Sequence, residues 1–123
     1  MRRADVVGII IGALAAVGIL MFAGIRVDAK VDELESWQAY IEVVCEQKDI
    51  CPELVQALIE TESNWDPEAR NGDCIGLMQI STVNLGWLGE SLGVEDLYDP
   101  FQNVLAGISM LASYVEAYGD YHM

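Results

Sequence analysis

Residues 52–67 read PELVQALIETESNWDP, and the fold turns on how this stretch is read. Proline suits the first helical position, where its missing N–H would have no intrahelical partner, and Glu53 places an acid in the first turn. Leu54, Val55, Leu58 and Ile59 recur at helical spacing and define an apolar stripe, with Glu53, Gln56 and Glu60 on the opposite face. The pattern predicts a helix to about Ser63, followed by a loop with turn signals at Asp66-Pro67 and Asn71-Gly72. Glu62 lies four residues after Leu58 and three after Ile59, so it continues the stripe. A carboxyl placed there would be partly desolvated, which disfavours its charged form and raises its pKa. Such an acid stays protonated near neutrality and can donate a proton to a leaving oxygen. Glu60, about 200° away around the helix, lacks that environment. Spacing alone leaves open the alternative that Glu62 frays into solvent at the helix end.

Working outward, Leu34, Trp37, Ile41, Val44 and Cys45 also recur at helical spacing and predict an amphipathic helix over about 33–48. Lys48-Asp49 breaks it. Downstream, Gly76, Gly86, Gly89 and Gly93 punctuate short apolar pieces, the pattern of irregular structure with short helical turns. Asp99-Pro100 then opens a further helix with Asp99 as N-cap. Phe101, Val104, Leu105, Ile108, Leu111, Ala112, Val115 and Tyr118 give it a continuous apolar face, and Gly119 is placed to end it. No segment reads as a strand. The expected class is an all-α domain, with room for a short irregular loop or hairpin.

Residues 6–25, VVGIIIGALAAVGILMFAGI, form an unbroken apolar run. At about 1.5 Å per residue, its length reaches the ~30 Å of a bilayer core. Arg2 and Arg3 precede it, which keeps the N-terminus cytoplasmic under the positive-inside tendency. A signal peptide cleaved near Val27-Asp28-Ala29 is the rival reading, but its apolar core is usually only ~7–15 residues. The expected layout is a cytoplasmic start at 1–5, a transmembrane signal anchor at 6–25, a linker at 26–33 and one small domain at 34–123. That domain would face the extracytoplasmic side of a single-pass cell-membrane protein.

The formal net charge is −14. From Val31 onward the only basic residues are Lys48 and Arg70, which argues against nucleic acid or anionic lipid surfaces as partners of this part. One histidine, at 122, and no CxxC pair give little support for a metal site, and no cofactor is expected. Of the three cysteines, Cys45 lies on the apolar stripe of the first exported helix and is expected as a buried thiol. Cys51 and Cys74 are expected to form a disulfide tying the loop before Gly76 to the helix at 52–63, with Cys45–Cys51 as the rival pairing.

Glu62-Ser63, then Gly76-Leu77-Met78-Gln79, then Asp99-Pro100 with Asn103, occur in that order. This resembles the soluble lytic transglycosylase family, which shares the goose-type lysozyme fold, over about residues 38–120. The resemblance implies a lysozyme-like helical fold and cleavage of peptidoglycan glycan strands between N-acetylmuramic acid and N-acetylglucosamine. It implies a single general acid/base, matched here by Glu62, and a 1,6-anhydro product. Ser63, Gly76, Leu77, Met78, Gln79 and Asn103 are the matching substrate-groove positions, with Gly76 expected to let the backbone approach a sugar; local capping or loop support stays open for Asn103, and a core position for Met78. Trp65, Trp87 and Tyr98 can stack on sugar rings or belong to the core. The family's later Ala-Tyr-Asn-type motif has no match before Met123, so the domain is expected to be C-terminally truncated. Two alternatives stand beside this reading. One is a lysozyme-like hydrolase with Asp73 as second carboxylate; the other is a non-catalytic glycan-binding or assembly module.

Overall fold

A helix covers Ala29–Lys48 (α1) in the computed structural model, which describes residues 29–119. Its first residues, 29–33, fall in the stretch expected as linker. Ala, Lys, Glu and Leu are good helix formers and no glycine or proline interrupts them, so the helix starts earlier than the apolar spacing indicated. Asp32 in the first turn and Lys48 in the last suit the helix dipole. The chain divides into two units, 1–39 and 40–123. The described part of the first is the opening of α1; everything that follows concerns the second.

In that unit Ile41, Val44 and Cys45 are buried, as their spacing predicts. Asp49 adopts a left-handed conformation (φ 56°), and the Ile50 N–H donates to the Cys45 carbonyl at 3.0 Å, closing α1. Pro52–Ser63 (α2) forms as expected, ending where Asn64 turns left-handed and its N–H donates to the Glu60 carbonyl at 3.0 Å. Its buried stripe is narrower than the sequence suggests. Val55 and Ile59 are fully buried, whereas Leu54 is half exposed. The inward line runs Val55, Ile59, Ser63, in steps of four.

Three antiparallel strands follow, where the sequence allowed no more than a short irregular loop or hairpin: Arg70–Asn71 (β1), Cys74–Ile75 (β2) and Ile80–Ser81 (β3), in the order β1-β2-β3. Strands of two residues are too short to write an alternating pattern into the sequence. Gly72 at φ 60° supplies the positive φ for the two-residue turn between β1 and β2, whose register pairs Asn71 with Cys74. Cys74 and Ile75 of β2 face Ser81 and Ile80 of β3, so Gly76-Leu77-Met78-Gln79 is the four-residue loop joining these strands.

A 3₁₀ turn at Thr82–Asn84 leads into Leu85–Leu92 (α3), and Pro100–Tyr118 (α4) completes the described chain. Asp99 caps α4 through Oδ1, which accepts from the N–H groups of Phe101 (2.9 Å) and Gln102 (3.3 Å). The core gathers Ile75, Ile80, Leu88, Val94, Leu97 and Ala106 between the sheet, α3 and α4. Burial on α4 is concentrated at residues 103–109, while Phe101, Val115 and Tyr118, expected on its apolar face, are exposed. The sheet and its loop meet the first half of the helix, through Asn103 and Gly107, and its last turns lie beyond them. The domain is thus helical with a small sheet inserted. No described helix is long and apolar enough to cross a membrane; the run at 6–25 lies outside the described residues, as does the segment 120–123.

Candidate active site

The end of α2 is fastened to the loop at 76–79 by one hydroxyl. Ser63 Oγ donates to the Leu77 carbonyl at 2.7 Å and also lies 3.1 Å from the carbonyl of Ile59, one turn back. The loop is held more firmly from α4. Asn103 is fully buried, its Oδ1 accepts from the Met78 N–H at 2.8 Å, and its Nδ2 donates to the carbonyls of Ile75 and Leu97, both at 2.8 Å. Three of the four hydrogen bonds an asparagine can make are therefore spent on fixing backbone.

Gly76 has φ 80°, and a Cβ there would collide with the Asn103 amide and the Leu97 carbonyl. The absence of a Cβ at Gly76 thus lets the Asn103 amide and the Leu97 carbonyl pack directly against the loop. Gln79, also at positive φ (52°), folds its amide back: Nε2 donates to the carbonyls of Ala69 (3.1 Å) and Gly76 (2.9 Å), and Oε1 accepts from Asn71 Nδ2 (3.3 Å). Leu77 is fully buried. Met78 is half-buried and lies against Gly107 of α4, where any Cβ would meet its sulfur. Ser63 and residues 76–79 with Asn103 thus form one connected assembly.

Glu62 stands beside this assembly in the last turn of α2, but not as its spacing suggested. It is exposed, as is Glu60. The inward line passes to Ser63 instead, and α2 ends one residue later, so no further turn covers the Glu62 carboxyl. Burial therefore does not separate Glu62 from Glu60; what marks Glu62 is that it precedes the serine bonded to the loop. Asp73 is exposed in the β1–β2 turn. Trp65 is half-buried, Tyr98 packs against the core, and Trp87 is partly exposed with its Nε1–H donating to Asn84 Oδ1 at 3.1 Å.

The expected Cys51–Cys74 disulfide is not formed; all three cysteines are free. Cys51 precedes the first turn of α2, where its thiol donates to Glu53 at 3.1 Å, while the sheet carrying Cys74 is tied to the other end of that helix. Twelve helical residues cover about 18 Å, and a disulfide needs Cα atoms within about 7 Å. The tie between loop and helix is made by Ser63 instead. The neighbouring Cys51 thiol and the backbone lower the pKa of Glu53. Cys45 is fully buried, and burial first, then the nearby Cys51 and Glu53, push its thiol pKa up to about 11.

The spacing of Glu62-Ser63, the loop and Asn103 missed the sheet, and it left loop support by Asn103 open beside a substrate contact without choosing between them. The three bonds of the Asn103 amide to backbone show that loop support is its role in the free chain. Residues 39–123, more than half of the chain, match the Transglycosylase SLT domain family, and the chain belongs to that family. It is similar to a transglycosylase of Enterobacteria phage PRD1, with 34% identity over 85 residues that cover 68% of this chain and 31% of the phage protein. It is also similar to the membrane-bound lytic murein transglycosylase F 2 of Alkalilimnicola ehrlichii (37% over 79 residues; 64% and 17% of the two chains). A third relative is the membrane-bound lytic murein transglycosylase F of Desulfosudis oleivorans (31% over 88 residues; 71% and 18%). The matched region spans less than a third of the length of each relative.

Proposed function

We propose that this domain is a peptidoglycan lytic transglycosylase with Glu62 as its single acid/base. The observation that carries the reading is the bond from Ser63 to Leu77, which sets the end of the Glu62-bearing helix against a loop pre-organised by Asn103 and Gln79. Family membership and the murein transglycosylase names of two relatives supply the substrate class. Glu62 protonates the glycosidic oxygen between N-acetylmuramic acid and N-acetylglucosamine, and the C–O bond breaks with positive charge developing at the anomeric carbon. The muramic 6-hydroxyl then bonds to that carbon and gives its proton to the Glu62 carboxylate. This yields a 1,6-anhydro sugar, regenerates the acid and consumes no water or cofactor. Because Glu62 is exposed in the free chain, the bound strand itself must exclude water from it. Met78 and Gln79 line the loop surface; Gly76, Leu77 and Asn103 support it from within. The apolar run at 6–25 anchors the domain to a bacterial cell membrane on the wall side, in keeping with the membrane-bound names of these two relatives.

The exposure of Glu62 also favours a second reading, hydrolysis, because water reaches the carboxyl directly. Digesting purified peptidoglycan with the full chain in heavy-oxygen water separates the two. Mass analysis should find 1,6-anhydro ends without label; labelled reducing ends would move the domain to the hydrolases. Glu62→Gln should lower release by about a hundredfold or more, the scale of a lost acid/base, while Glu60→Gln leaves it nearly unchanged. Equal losses from both would remove Glu62 from the role.

A further inference from the structure

The carboxamide of Gln79 is oriented more completely than the open surface of a loop requires. Its backbone is left-handed (φ 52°), a conformation that only a few per cent of non-glycine residues adopt. Nε2 donates to the carbonyls of Ala69 at 3.1 Å and Gly76 at 2.9 Å. A carbonyl can only accept, so both amide protons are spent on backbone and the carboxamide cannot be turned end for end. Gln79 is thereby barred from donating to a ligand, and Oε1 is the polar atom its side chain has left to offer.

Asn71 decides where that oxygen sits. The register of β1 and β2 places Asn71 opposite Cys74, just before the Gly72 turn, and its Nδ2 donates to Gln79 Oε1 at 3.3 Å. Asn71 is exposed, so removing its amide strands no buried partner, and water takes its place in the free chain. The fold does not require this bond. What the bond does is fix the plane of the Gln79 amide, and an oxygen with two lone pairs keeps one for a second donor. Sugar hydroxyls and acetamido N–H groups are such donors. An acceptor oriented in advance binds them without the ordering cost that a free side chain adds.

We propose that Asn71 is a positioning residue for the glycan strand, holding Gln79 so that its Oε1 accepts from a sugar hydroxyl or acetamido N–H beside the bond that Glu62 cuts. The inference rests on the glycan-cleaving reading above and adds the residue that sets which end of Gln79 meets the substrate. The sequence marked Asn71 only as part of a turn signal.

The test uses the full chain carrying Glu62→Gln, so that bound strands are not consumed, with soluble glycan strands released from purified peptidoglycan. Two quantities are read: strand affinity and, by NMR, the exchange of the Gln79 Nε2 protons with water. Asn71→Asp keeps the shape of the side chain but cannot donate to Oε1. It should weaken strand binding about fivefold, the worth of one hydrogen bond, and leave the thermal midpoint of the free chain unchanged. Asn71→Ala, which adds no charge, should do the same. In a Gln79→Ala background Asn71→Ala should cost nothing further, because Asn71 acts through Gln79. On strand binding the Nε2 protons should exchange no faster than in the free chain, since the strand takes Oε1. Unchanged affinity in Asn71→Ala, an equal loss from it with and without Gln79, or faster Nε2 exchange on binding overturns the proposal. Failure of the underlying reading looks different. Cleavage retained by Glu62→Gln would reject the acid/base assignment and leave the role of Asn71 standing, whereas strands that bind no variant would reject the glycan reading and this role with it.

Discussion

Asn103 is the side chain on which the loop depends. Its amide replaces three backbone partners that water cannot reach, so removing it strands Met78 N–H and the carbonyls of Ile75 and Leu97. Each buried unpaired group costs about 1–3 kcal/mol. Asn103→Ala should therefore lower stability by roughly 3 kcal/mol or more, a large share of the 5–15 kcal/mol typical of a domain. Urea unfolding of wild type and variant measures it; a loss below about 1 kcal/mol would mean that the loop is held by other contacts. Gly76→Ala should do comparable damage, since it combines positive φ with a collision against that same amide. At this scale the sequence located Glu62 through its neighbours rather than through its environment. Periodicity placed Glu62 correctly in the last turn of α2 and the helix end at about Ser63, but could not decide between a desolvated carboxyl and one open to solvent, and the structure has the second.

Between elements, the tie from α2 to the β2–β3 loop is a single hydroxyl. Ser63→Ala should cost about 1 kcal/mol, the net worth of one hydrogen bond, yet reduce turnover by more than this stability loss explains. It frees the Glu62-bearing turn from the loop without touching the reacting groups. Release rates on peptidoglycan, compared with thermal midpoints, separate the two effects; a rate equal to wild type would show that the tie does not position Glu62. Asp99→Ala, which removes the cap of α4, should cost about 1 kcal/mol with no such excess in rate. Helices α2 and α4 were legible because each has boundary chemistry in its own residues: Pro52 and Asn64 for α2, Asp99-Pro100 for α4. The sheet was not, because its strands are two residues long and its stability lies in hydrogen bonds to residues far away in sequence, such as Asn103 to Ile75. The disulfide failed for a related reason. The helix between Cys51 and Cys74 was legible, but nothing in their spacing records that the sheet is tied to its far end through Ser63.

Across the whole molecule the excess of carboxylates sets the response to salt and pH. With a formal charge of −14 the chain repels itself, and screening by added salt should raise the thermal midpoint. An unchanged midpoint would show the carboxylates to be too far apart to interact. The alkaline limb has a different origin. Folding buries the Cys45 thiol and raises its pKa from about 9.0 to about 11, and it raises that of Tyr40 through burial and then the charge of Asp99. In both cases the folded state holds the proton more tightly than the unfolded chain. Their contribution is thus fully present below the unfolded pKa and is lost as pH rises through the folded one. For Cys45 the window is about pH 9 to about 11, and the loss across it should be roughly 2–3 kcal/mol at 1.36 kcal/mol per unit. Cys45→Ala should start less stable near neutrality, since it opens a small space among Ile41 and Val44, but should lose less on moving through that window. Urea midpoints of the two proteins across the range decide the matter. Parallel alkaline slopes would mean that Cys45 does not carry the effect, and Tyr40→Phe would then be the variant expected to flatten the curve.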